Sequence, residues 1–211
     1  YPVNASYNTG TTTASAKTLS GITYNQASTN VVSNGSLNNE ILRLDFSVTG
    51  STGTLRLNSI VVTSNNTNDA DIANVKLFRT LSTAYNTSNQ LGTTQAFTGG
   101  TATFSSLGAE LTPGNNTIWV AYDISPTPTD GNTADAKITA NNINVGGSTY
   151  PPTDESPAGG RVIRLALSGE KTIGTGGDYT SITDAINILN VTPISGHITY
   201  RLLNPNYNTG T

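Results

Sequence analysis

The stretch EILRLDFSV, Glu40 to Val48, sets Leu42, Leu44, Phe46 and Val48 against Arg43, Asp45 and Ser47, with Ile41 standing apart. Period-two alternation turns one side of an extended chain toward a core and the other toward water, so the stretch reads as a β-strand. Working outward, Gly50 to Gly53 reads as a turn and Thr54 to Thr63 as the returning strand. The same reading predicts strands near Val31, at Asn74 to Arg79, Thr101 to Ser105, Asn116 to Ile124 and Ala136 to Val145. Clusters of Asn, Gly, Ser and Thr separate them.

About seven strands over roughly 125 residues is the expectation for an all-β, antiparallel sandwich of Greek-key or immunoglobulin-like type. Its inward set is expected to be Leu42, Leu44, Phe46, Leu55, Leu57, Val75, Leu77, Ile118, Val120, Tyr122 and Ile138, because a one-residue slip would expose all of them. Composition agrees. Thr makes up about 17 % and Asn about 12 % of the chain, and 21 Gly supply turns.

Charged residues are only 11 % and the net charge is −3, with the ten basic residues scattered, which argues against a nucleic-acid partner. No apolar run approaches the ~18 residues of a membrane span. With no Cys and no Met, neither disulfides nor thiolate metal sites are available. Tyr1 stands where an initiator Met would, and the expectation is a mature or excised segment.

The organisation expected along the chain has four parts. Residues 1–20, rich in Ser, Thr and Ala, read as a linker or edge strand, and residues 21–147 as the sandwich. Residues 148–160, which include YPPTDESPAGG, read as a Pro-rich linker. From Arg161 to Thr211 the pattern changes to a strand at Arg161 to Leu167, the Gly-rich turn IGTGGDY, a helix, and a strand at His197 to Leu203. In the helix, Ile182, Ala185, Ile186 and Leu189 fall at i, i+3, i+4 and i+7, and Ser181 with Asp184 resembles a capping box.

Two resemblances follow from these residues. The block from Ile41 to Thr80, with Asp71-Ile72 leading into NVKLFRT, the Pro113-Gly114-Asn115 turn and the Trp119 to Ile124 run WVAYDI, resembles the immunoglobulin-like N-terminal domain associated with BNR-repeat sialidases. The segment carrying Gly177, Asp178, Tyr179, Ser181, Ile182, Ala185 and Ile186 is similar to the capping helix and first coil of a right-handed parallel β-helix of the pectin-lyase-like class. Together they imply a large secreted bacterial surface protein of the type exported by type IX secretion and often acting as an adhesin. They do not bring a sialidase active site, which lies in a propeller that this sequence lacks.

Candidate site residues are few. His197 is the only His and reads as a structural or exposed side chain; no G-x-S-x-G elbow occurs, so no enzyme activity is expected of this chain. Asn65, Asn66, Asn68, Asp69 and Asp71 form the densest oxygen cluster, in which Asp69 and Asp71 are calcium candidates set against ordinary turn chemistry. No other cofactor is expected. Trp119 reads as a core aromatic or as a glycan-stacking platform. Sequons at Asn34, Asn65, Asn86, Asn115 and Asn190 mark surface turns. Residues 1–11 and 201–211 both end in YNTGT, either by coincidence or as a reused surface element.

The function expected is a structural or adhesive module at the cell surface or in an extracellular filament. The rival readings are an accessory region of a carbohydrate-active enzyme and a carbohydrate-binding module. Its partners would be other domains of the parent protein, neighbouring subunits or glycans. One coil cannot bury its own apolar side, here Ile198, Tyr200 and Leu202, so the segment from Arg161 is expected to be completed by something beyond it.

Overall fold

A computed structural model describes residues 14–204. The strands are β1 (Thr18–Gln26), β2 (Val32–Ser33), β3 (Asn39–Thr49), β4 (Arg56–Ser64), β5 (Ile72–Thr80), β6 (Gln90–Gln95), β7 (Thr101–Phe104), β8 (Ala109–Glu110) and β9 (Gly114–Ile124). They continue as β10 (Thr133–Ala134), β11 (Ala136–Lys137), β12 (Ile143–Val145), β13 (Ser148–Tyr150), β14 (Arg161–Arg164) and β15 (Leu167–Ile173). The helix α1 (Ile182–Val191) and strand β16 (Ile194–Leu202) close the described chain. The likeness of residues 1–11 to 201–211 lies largely outside the described residues, as do residues 1–13 of the expected linker; Thr18 onward forms an edge strand.

Antiparallel pairing builds one sheet in the order β1-β3-β9-β5-β6 and a second in the order β11-β4-β12-β13, with β7 and β8 also on β4. Inward residues of both sheets belong to one hydrophobic core that includes Phe46, Leu57, Phe104, Val120 and Tyr122. The inward set read from alternation is buried throughout, except that Leu55 packs half-buried against the core. Ile41 joins that core as well as Leu42. The register of β3 on β9 slips between Glu40 and Leu42, a bulge that turns two successive side chains to the same side.

Thr54 to Thr63 does not return along β3. The chain instead crosses to the second sheet, where β4 pairs with β7, β8, β11 and β12. The crossover places Leu57, Ile60 and Val62 in the core shared with β3. Gly50 makes the corner possible: its φ is +77°, and a Cβ there would lie 2.1 Å from the carbonyl oxygen of Ala16. The strand expected over Ala136 to Val145 is split into β11 and β12 by a turn with Asn141 at φ +63°.

The Pro-rich stretch is held against the two sheets: Ile138 and Glu155 exchange backbone hydrogen bonds of 3.0 and 2.8 Å, and Pro151 is buried. Beyond it, β14 runs antiparallel to β10 and parallel to β2, and Ile163 enters the main core. Arg161 fixes this strand, donating from Nε to the Asn30 carbonyl at 2.8 Å and pairing with Glu40 at 3.3 Å. Gly160 permits the approach, since a Cβ there would meet Thr133 Cγ2 at 2.7 Å.

From Leu167 onward the architecture changes to a parallel pair, β15 and β16, with α1 between them in sequence. Ser181 caps the helix by accepting from the Asp184 N–H at 3.0 Å. Thr180 and Ser181 donate in turn to the Asp184 carboxyl and hold it below the usual carboxylate range. Ala185 is buried, but Ile182, Ile186, Ile188, Val191, Ile194 and Leu202 are exposed. Among the described residues this part is one parallel strand pair with its helix.

Candidate functional site

The outer face of the five-stranded sheet carries Trp119. Because Ile118, Val120 and Tyr122 of β9 face the main core, Trp119 and Ala121 turn to the other side and pack with Phe78 under Tyr85. Trp119 is 4 % exposed. Its Nε1–H donates to Thr80 Oγ1 at 2.9 Å, the Tyr85 ring crosses it edge-on at 5.3 Å, and the Arg43 guanidinium lies 5.7 Å from the ring centre. A stacking platform needs an open ring face, and here a sugar would have to displace Tyr85 first.

Tyr85 comes from the loop that joins β5 to β6, and its hydroxyl donates to the Asn38 carbonyl at 2.7 Å. Burial, with Glu40 and Asp123 nearby, pushes that hydroxyl well above its usual range. Between this loop and the end of β5 lies an open cleft of about 510 Å³, lined by Arg79, Leu81, Ser82, Asn86, Ser88 and Asn89 among others. Nothing in the sequence marked it, since the loop reads as polar turn residues.

The Asn and Asp cluster of residues 65–71 is distributed among separate anchoring tasks. Asn65 donates to Asp135 Oδ2 at 2.6 Å, and Asn68 accepts from the Ala70 N–H to start a single 3-10 turn, Asp69–Asp71. Asp69 accepts from the Gly100 N–H at 2.8 Å. Asp71, buried, accepts from the Thr129 N–H at 2.8 Å and from Asn132 at 2.6 Å. The two calcium candidates thus each bind donors of the chain itself. Among the described residues no group of three or more His, Cys, Asp or Glu side chains gathers as metal ligands would.

Three further buried carboxylates went unmarked by the sequence. Asp45 accepts from Thr117, Arg43 and Asn25. Burial raises Asp123, but Lys76 at 2.7 Å, the Asn38 N–H and Asn74 outweigh it and hold the carboxyl below its usual range. Burial raises Asp135, against the pull of the Ala136 N–H and Asn65. Their common signal is an Asp flanked on both sides by core residues, within a strand for Asp45 and Asp123 and between β10 and β11 for Asp135. His197 is exposed on β16.

No known family model matches the chain, and no curated protein matches it. Among solved structures the chain is similar to one titled Hadza microbial sialidase Hz136, at 17 % identity and a TM-score of 0.49. That match covers 69 % of this chain and 31 % of the other, so the chain spans about a third of the sialidase's length. No helix among the described residues is long and apolar enough to cross a membrane.

Proposed function

We propose that the chain is a non-catalytic structural or adhesive module of a larger secreted protein, displayed at the cell surface or in an extracellular filament. In this reading an immunoglobulin-like sandwich leads into the start of a longer parallel β array, consistent with type IX export, and neighbouring domains or subunits are its partners. One observation carries the reading. The buried carboxylates Asp45, Asp71, Asp123 and Asp135 are each held by hydrogen bonds or an ion pair within the fold. General acid–base catalysis needs a carboxyl or imidazole left free to meet a substrate proton in a cleft. These four acids tie strands and loops of the fold to one another instead.

The test is turnover. Purified protein incubated with sialosides and with pectic polysaccharide should release no product above a boiled control. Release that disappears on a single substitution within this chain would overturn the reading and favour an accessory part of a carbohydrate-active enzyme.

A further inference from the structure

We propose that the cleft between the end of β5 and the loop 81–89 binds an acidic saccharide, a ligand that combines hydroxyls with a carboxylate. The proposal deepens the adhesive reading above, on which it rests, by naming what the sandwich would hold.

The loop is the first observation. Antiparallel neighbours such as β5 and β6 can be joined by about two residues, yet nine lie between Thr80 and Gln90. The excess is not slack. Tyr85 anchors the middle of the loop edge-on against Phe78 and Trp119, at 6.1 and 5.3 Å between ring centres, and its hydroxyl is tied to Asn38. At the loop's start, Thr80 Oγ1 accepts from Trp119 and donates to the Ser82 carbonyl. The cleft wall is therefore set before any ligand arrives, which lowers the ordering cost of binding.

Charge is the second observation. Every Lys and Arg of the described residues lies within ion-pair distance of a carboxylate, except Arg79 and Lys171. Arg79 is half-buried and held by two neutral acceptors: Nη1 donates to the Glu110 carbonyl at 2.7 Å and Nη2 to Asn116 Oδ1 at 2.8 Å. The Glu110 carboxylate itself is taken by Lys17 at 2.6 Å and Arg56 at 3.6 Å. A guanidinium carries five N–H donors, so these two bonds leave Arg79, which lines the cleft, with donors to spare. A fixed guanidinium of this kind suits a carboxylate.

The remaining wall supplies the rest of the match. Ser82, Asn86, Ser88 and Asn89 offer hydroxyls and amides suited to sugar hydroxyls, and Leu81, 100 % exposed, offers an apolar edge for ring C–H groups.

The experiment titrates the 211-residue protein with tri-glucuronate, followed by NMR or calorimetry. The carboxyl-reduced trisaccharide is the neutral control and tri-glutamate the anionic one. Saturable binding of tri-glucuronate is expected, at least about ten-fold tighter than either control and weakened as salt rises. Asn89→Trp, at an exposed position on the wall, should abolish binding without moving the melting temperature. Arg79→Gln should weaken it about ten-fold or more, with Arg79→Lys intermediate. Absence of saturation at millimolar ligand, equal affinity for either control, or binding unchanged in Asn89→Trp would each overturn the proposal. Since the readout is binding and not turnover, such a failure leaves the non-catalytic reading to its own test.

Discussion

Strand β9 is buried on both sides from Thr117 to Ile124, whereas β16, equally ordered in its pairing, leaves Ile194 and Leu202 58 % and 51 % exposed. β9 is the middle strand of its sheet and β16 one of a pair. The difference lies in what closes over them. Around β9 the second sheet covers one face, and Tyr85 with the Asp45 and Asp123 networks covers the other. Among the described residues β16 has one parallel partner and one helix beside it, and Leu167, Ile173 and Ala185 are each buried outside the main core. Parallel sheets are ordinarily covered on both faces, and two strands are too few to shield a helix with so wide an apolar face. The comparison teaches that strand pairing and closure are separate achievements, and that among the described residues only the first unit has both.

The largest expected effect comes from striking the closed unit at its centre. Phe46→Ala removes a fully buried ring and should cost about 3–5 kcal/mol, read as a fall in denaturant midpoint; Ile186→Ala on the half-exposed helix should cost under about 1 kcal/mol. Similar losses at both sites would erase the distinction between the units. Next comes Asp71→Ala, which removes the buried acceptor of the Thr129 N–H and of half-buried Asn132 and should cost about 1–2 kcal/mol by the same measurement.

Tyr85→Phe keeps the ring and removes only the bond to Asn38, so a loss of about 1 kcal/mol is expected. It should also change the alkaline limb. The Tyr85 hydroxyl is raised in the folded state, so its contribution is complete below the unfolded value near pH ~10 and is lost as pH climbs beyond it. Wild type should therefore lose stability above that pH more steeply than the variant. Asp123 works in the opposite direction: held low by Lys76, Asn38 and Asn74, it stabilises above about pH 4 and ceases to as pH falls below. Asp123→Asn should flatten that acid limb in pH-dependent melting, and an unchanged limb would show the Lys76 pair to be idle.

The alternation of Leu42, Leu44 and Phe46 made the closed unit's core legible, because period-two patterning is enforced by burial of one face. Ile41 escaped the pattern because a bulge depends on the partner strand's register. The placement of β4 in the second sheet was equally hidden, since the Gly50 turn specifies a bend and not a partner. Trp119 was visible as an aromatic, but its cover comes from Tyr85 in a loop that reads as polar. Arg79 could not be singled out, because its lack of a counter-charge is set by where Lys17 and Arg56 draw Glu110. In the C-terminal unit the Ser181 cap, the helix and the single coil with its uncovered apolar side were readable locally, because capping and periodicity are local properties.

Native-state hydrogen exchange on the monomer tests the contrast most directly. If closure separates the units, amides of β9 from Ile118 to Ile124 should exchange only with global unfolding. Those of β16 from Ile198 to Leu202 should exchange at least about a hundred-fold faster, through opening of the parallel pair alone. Equal, strong protection of both strands in a chain confirmed as monomeric would contradict the account.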